Sequence, residues 1–175
     1  MKFHNTLLAA AVALIAGVSF QASAADTSST FKSTATVASS CAILSVGNLE
    51  FIDAYNPVRA NATDSMIGYN SGISVRCNGG TTAKIQLDEG LHKSAGSTCA
   101  APARAMVNSK GDRLNYILAS NGSMSALMGC TAAVETTLSF VSLETKSQRV
   151  FGEIAAGQAV PVGSYADTVT VKVLF

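Results

Sequence analysis

Four cysteines, Cys41, Cys77, Cys99 and Cys130, and one isolated imidazole, His92, are the side chains of this sequence best equipped for chemistry. The cysteines form no C-x-x-C pair and the only other histidine is His4, so the spacing argues against zinc. An even cysteine count in an exported chain argues instead for two disulfides, in any of three connectivities. Each such bond would contribute roughly 3–4 kcal/mol by closing a loop in the unfolded chain. His92 sits in "DEGLHKSAG", which reads as a solvated loop, and no G-x-S-x-G nucleophile motif accompanies it. Asp88 and Glu89 are adjacent, so on a strand they point to opposite faces and read as surface charges.

Other constellations are equally sparse. Asp53, Asp64 and Asp112 are scattered without the spacing of a calcium loop. "GNL", "NGG" and "GEIAAG" lack the strand–turn–helix context of a phosphate loop. With no tryptophan there is little to stack on sugars or bases. Asn61 and Asn121 begin sequons of a kind that recurs by chance. The reading is of a non-enzyme without metal or cofactor, whose function rests on surfaces.

Those surfaces belong to an exported chain. Lys2 and His4, the apolar run "LLAAAVALIAGVSF" and the small residues "ASA" at 22–24 read as a signal peptide over residues 1–24. The remaining 175 − 24 = 151 residues are one domain of ordinary size. Removing Lys2 leaves 11 basic and 11 acidic residues, a balance that excludes a nucleic-acid binder or polybasic membrane ligand. A neutral, apolar exported domain is poorly defended against association.

Period-two alternation dominates the chain. "STFKSTATVASSC" sets Phe31, Ser33, Ala35 and Val37 against Lys32, Thr34 and Thr36, a strand at the very start of the mature protein. "GISVRC" aligns Ile73, Val75 and Cys77, and "AKIQLD" aligns Ala83, Ile85 and Leu87; the "NGG" between them predicts a hairpin. Leu114, Tyr116 and Leu118, then Leu138 and Phe140, then Val150 and Ile154 mark further strands. The chain ends on "YADTVTVKVLF", with Val169, Val171, Val173 and Phe175 on one face. About seven strands without helical periodicity predict an antiparallel β-sandwich. A β-prone strand reaching the last residue needs a neighbour on each side, in its own sheet or from outside.

Several stretches together resemble the spore coat protein U domain family, found in subunits of archaic (Csu-like) chaperone–usher pili. They are "C-x-x-x-x-x-x-x-L-x-F" from Cys41, "YNP" at 55–57, "GISVRCNGG", "ARAM" at 103–106, "DRLNYIL" at 112–118 and "FGEIAAGQAVPVGSYADTVTVKVLF". Where the family usually reads F-G-x-Y, "FIDAY" carries an extra residue and lacks the glycine. The resemblance implies an all-β fold, an incomplete immunoglobulin-like antiparallel β-sandwich completed by donor-strand complementation. It implies a donor-strand extension over residues 25–38, using Phe31, Ser33, Ala35 and Val37, and a pilin domain over residues 39–175. It further implies a groove strand over residues 165–175, with Tyr165, Val169, Val171, Val173 and Phe175 facing a periplasmic chaperone. Cys41 would pair with Cys77, leaving Cys99 for Cys130. Implied partners are that chaperone, an outer-membrane usher and neighbouring pilin subunits, in a pilus at the cell surface that supports adhesion and biofilm formation. The alternative is a secreted coat or binding protein whose amino-terminal strand completes its own sandwich.

Overall fold

The computed structural model describes residues 26–51, 54–57, 64–66 and 72–175. The expected signal peptide, the Asn61 sequon and the middle of "FIDAY" lie outside these residues. The chain divides into two units, residues 1–36 and residues 37–175. The described part of the first, residues 26–36, forms no strand ladder and is exposed.

The second unit contains ten described strands: β1 (Cys41–Val46), β2 (Asp64–Met66), β3 (Gly72–Cys77), β4 (Thr81–Leu87), β5 (Arg104–Val107), β6 (Arg113–Ala119), β7 (Thr136–Phe140), β8 (Glu144–Arg149), β9 (Phe151–Ile154) and β10 (Val171–Leu174). A single 3₁₀ turn, Ala132–Val134, precedes β7. All ladders are antiparallel, in the orders β1-β3-β8, β10-β4-β7 and β2-β9-β6-β5. Alternation brings Ile73 and Val75, Ala83, Ile85 and Leu87, Leu114, Tyr116 and Leu118, and Phe140 and Ile154 into one buried cluster. The sequence predicts about seven strands, and the excess has a physical origin. β8 is "ETKSQR", with no apolar residue to betray its period, and β2 is only three residues long.

One local expectation is corrected. β3 and β4 do not form a hairpin: β3 pairs with β1 and β8, whereas β4 pairs with β10 and β7. Both strands turn every second residue inward, so their apolar faces oppose each other across the core rather than lying side by side. Asn78–Gly80 is therefore an arch between sheets. Gly80 takes φ +79°, which suits glycine, and its N–H donates to Phe140 O at 2.8 Å. A Cβ on Gly79 would press on Val141 O.

Disulfides join Cys41 to Cys77 and Cys99 to Cys130. The first links directly opposed residues of β1 and β3, tying the start of the domain to the arch.

The carboxy-terminal segment is a strand only over its last part. Its ladder to β4 covers Val171–Leu174, whereas Ala166 exchanges backbone hydrogen bonds with Val107 of β5. Between these points the loop after β4 holds it. Leu91 N–H donates to Thr168 O at 2.9 Å, and Asp88 N–H donates to Thr170 O at 3.1 Å. The Asp88 carboxylate accepts from the N–H groups of Thr170 and Gly90, both at 2.9 Å. Asp88 is thus a clamp between loop and terminal strand rather than the surface charge read from sequence. Beneath it, buried Arg104 donates to Asp88 O, Leu87 O and Met128 O, satisfying carbonyls that would otherwise be stranded.

Burial alone would raise the Asp88 pKa, but its bonds from Thr170 and Gly90 and the nearby Arg104 charge hold it below its ordinary 3.8. A carboxylate with a depressed folded-state pKa stabilises the fold above its unfolded pKa, and that contribution disappears as pH falls through the folded value. Urea unfolding should therefore show stability dropping below about pH 4. Asp88→Asn should be less stable at pH 7, and the gap to the parent protein should narrow as pH falls below about 4. Parallel pH profiles for the two proteins would refute the clamp.

Candidate assembly groove

β1 and β10 are both edge strands. β1 pairs on one side with β3, β10 on one side with β4, and neither has a second partner among the described strands. β1, "CAILSV", is apolar except for Ser45, close to the pattern of a strand buried on both faces, yet Ile43, Leu44 and Val46 remain about half exposed. Its register with β3 shifts between Ile43 and Ser45, a bulge that bends the edge.

A groove of about 480 Å³ opens in this region. Residues 46–51, leaving β1, form one wall, and residues 165–169 with Val171 form the other. Ile73, Leu87, Tyr116, Leu118 and Val150 reach the groove from the core. The sandwich thus presents its interior along a slot between two strand edges, as an extended segment with apolar side chains on one face would require. Phe51 stands edge-on to the Tyr116 ring, with centroids 6.5 Å apart. Leu49 and Phe51 also lie over Gly152, where a Cβ would meet both side chains.

The second wall is braced by polar groups, of which Tyr116 and Asp167 also line the slot. Asp167 has a buried side chain whose carboxylate accepts from Tyr116 OH at 2.7 Å and from both His92 N–H and His92 Nδ1 at 3.1 Å. Burial, and next the Asp167 carboxylate, push the Tyr116 pKa far above its ordinary 10, so the phenol remains a donor. Gly90, at φ +79°, passes so close to this carboxylate that a Cβ there would collide with it. His92, read from sequence as a loop residue, is therefore one brace of the groove wall. Ser94, in the same loop, turns to Asn115 instead. The signal that could have exposed this cluster is the pair of polar residues, Tyr116 and Asp167, set among inward-facing positions.

Of the residues expected to form the groove strand, Tyr165, Val169 and Val171 line the slot. Val173 packs against the core without lining it, and Phe175 is largely exposed. The residues expected to donate lie elsewhere in the chain. Ser33 and Ala35 are exposed, and Phe31 and Val37 are 90% and 84% exposed, apolar groups in a segment without ladder partners. At the root of that segment Asn78 Nδ2 donates to Ala38 O at 3.0 Å, and Ser40 N–H donates to Asn78 Oδ1 at 2.9 Å.

Among known proteins, the chain is 36% identical over 182 residues to Protein U of Myxococcus xanthus, an alignment that spans all of both chains. A solved structure with a similar fold is the CsuC–CsuE chaperone–tip adhesion subunit pre-assembly complex from archaic chaperone–usher Csu pili of Acinetobacter baumannii. The TM-score is 0.51 at 22% identity, over 80% of this chain and 41% of that one. That likeness establishes the fold, an immunoglobulin-like antiparallel sandwich. The Spore Coat Protein U domain matches residues 27–172. With the one-sided edges, the open slot and both disulfides in place, the chain belongs to the Spore Coat Protein U domain family.

Proposed function

We propose that this protein is a non-enzymatic structural subunit of an extracellular pilus, assembled by the archaic chaperone–usher pathway through donor-strand exchange. The observation that carries this reading is the groove of about 480 Å³ walled by the segment that leaves edge strand β1 and the segment that leads into edge strand β10, reaching core residues, in a chain that also holds an exposed strand-patterned segment. An edge with unpaired backbone groups and an apolar floor is unstable in water and calls for an added strand.

In the proposed cycle the chain is exported, losing residues 1–24. A periplasmic chaperone then lends a strand alongside β10, and at the outer-membrane usher the residue 25–38 extension of a neighbouring subunit replaces it. Phe31 to Val37 spans roughly 20 Å at strand rise. Phe31 and Val37 would contribute roughly 1.5–3 kcal/mol each on burial, and Ser33 and Ala35 much less. So thin a donor leans on backbone hydrogen bonds and suits a minor or adaptor position, or a shaft position, in a pilus serving surface adhesion and biofilm formation. Possession of a donor favours an internal place over the tip, which has no subunit ahead of it to complete. The second reading is a self-complemented secreted coat or binding protein, and the family's spore-coat description favours it.

The two readings separate on the oligomeric state of the undeleted mature protein, since deleting residues 25–38 empties the slot under either. Under the assembly reading the shortened protein is monomeric and poorly stable, and a synthetic peptide of residues 26–38 raises its melting temperature. Phe31→Ala in the peptide should weaken binding on the order of tenfold to a hundredfold. The undeleted mature protein should polymerise as its concentration rises. A stable monomer at high concentration, with slow amide exchange across residues 31–37, would instead establish self-complementation.

Chaperone capture makes a second demand. Val171 lines the slot and pairs with Leu87, so Val171→Lys puts a charge where an added strand must be desolvated. Co-purification of the exported protein with its chaperone should fall to background in this variant and persist in Lys172→Arg, which alters an exposed position. Undiminished capture of Val171→Lys would remove β10 from the chaperone interface.

A further inference from the structure

The root of the amino-terminal segment has no slack. Val37 would be the last donor residue in a neighbour's groove, and the carbonyl of the very next residue, Ala38, is bound by Asn78 Nδ2. Ser40 exchanges hydrogen bonds with Asn78, and Cys41 is covalently joined to Cys77. Thr81 Oγ1 donates to Asn78 Oδ1 at 2.7 Å and fixes the amide that does the holding. If donor-strand exchange is the assembly step, an inference that rests on the proposed function, the pole carrying Asn78 must abut the mouth of the neighbour's groove.

That pole carries an apolar pair with no task inside the domain. The turn from β7 to β8 exposes Val141 by 85% and Leu143 by 65%. It is not a loose tip: Val141 N–H donates to Glu144 Oε1 at 3.1 Å, and its backbone packs against Gly79 of the arch. Leu143 borders a shallow hollow of about 210 Å³ formed with residues 40–42 and 76–78, the same residues that hold the arm's root.

The other half of the contact lies at the groove mouth. Antiparallel addition to β10, the commoner and slightly more stable pairing, sends the donor's carboxyl end toward the 160–166 end of the slot. There the turn after β9 presents Val162, an apolar side chain exposed by 100%. Tyr165 OH donates to Pro161 O at 2.7 Å and braces that turn. Two stiff turns with exposed apolar residues are thus brought together by an arm without a linker. We propose that Val141 and Leu143 of one subunit seat against Val162 of the next copy of this same chain, forming a rigid head-to-tail junction beside the donor strand. The contact is heterologous, since its two surfaces differ, so it propagates along a filament instead of closing a dimer.

The direction of the junction supplies its test. Leu143→Cys and Val162→Cys proteins are prepared separately, mixed under polymerising conditions and oxidised, with Val141→Cys replacing Leu143→Cys as a second variant. All three positions are exposed, so the fold is not at stake. An intermolecular disulfide between the two introduced sulfurs is expected in the mixture. Deleting residues 25–38 from the Leu143→Cys protein should abolish it, while the same deletion in the Val162→Cys protein should leave it in place. Polymer without the cross-link in either pairing would overturn the junction and leave donor-strand exchange standing. Cross-linking indifferent to both deletions would show association independent of the arm and overturn it too. Failure of the undeleted proteins to polymerise would remove the assembly reading, and the junction with it.

Discussion

A β-strand edge cannot be left alone. Each free edge offers a row of backbone donors and acceptors, and when an apolar core lies beneath it, water is a poor substitute for a neighbouring strand. Of the six edge strands in the described ladders, β1 and β10 flank a slot through which Tyr116, Leu118 and Val150 can be reached. Most sandwiches avoid the situation by supplying one more strand. Here residues 31–37, whose sequence alternates as a strand does, stand exposed, with Phe31 and Val37 facing water. Supply and demand for a strand exist in one sequence, and that drives the proposed head-to-tail assembly.

An open slot must also resist collapse until it is filled. Apolar walls alone would close on one another, since burial of the floor is favourable from any direction. The walls are instead held from behind. Asp88 grips the terminal segment at Thr170, Asp167 within that segment is held by Tyr116 and His92, and Arg104 ties the loop that carries Asp88 to the backbone at Met128. These groups are directional, so they set the distance between wall and core where hydrophobic contact would only minimise it. On the opposite side the Cys41–Cys77 disulfide ties β1 to β3 at the end where the arm leaves. These polar groups preserve the shape of the slot.

The inward faces of β3, β4 and β6 were legible because each alternates cleanly, and burial follows that alternation. The partners of those strands were not. Period two reports which side chains point inward but not which strand lies alongside, so "NGG" could be read as a hairpin turn although it is an arch. β8 was invisible because its half-buried positions, Glu144, Lys146 and Gln148, are as polar as its exposed ones, so it has no hydrophobic period. The groove was legible only in part: Val169 and Val171 were foreseeable from their shared face, whereas the opposite wall, residues 46–51, shows no regular pattern. His92 and Asp167 are 75 residues apart, and no local rule brings such a pair together.

Register is the last demand on a donor strand, and the proposed one meets it with few side chains. A slip of one residue would drive Lys32, Thr34 and Thr36 into an apolar slot, which their desolvation forbids. A slip of two keeps the correct face and is resisted only by the large residues, Phe31 and Val37, because Ser33 and Ala35 are too small to distinguish one pocket from the next. A donor with two anchors is therefore weakly specified by its own sequence. The root at Ala38 supplies what is missing. Because Asn78 fixes Ala38 to the body of the subunit, a slip of two residues would have to separate the subunits or drive them together by roughly 7 Å. Moving them together would press the turn bearing Val141 and Leu143 into its neighbour, and moving them apart would expose it. In the proposed filament, the short root and the apolar turn beside it would thus complete a register that the donor's small side chains leave open.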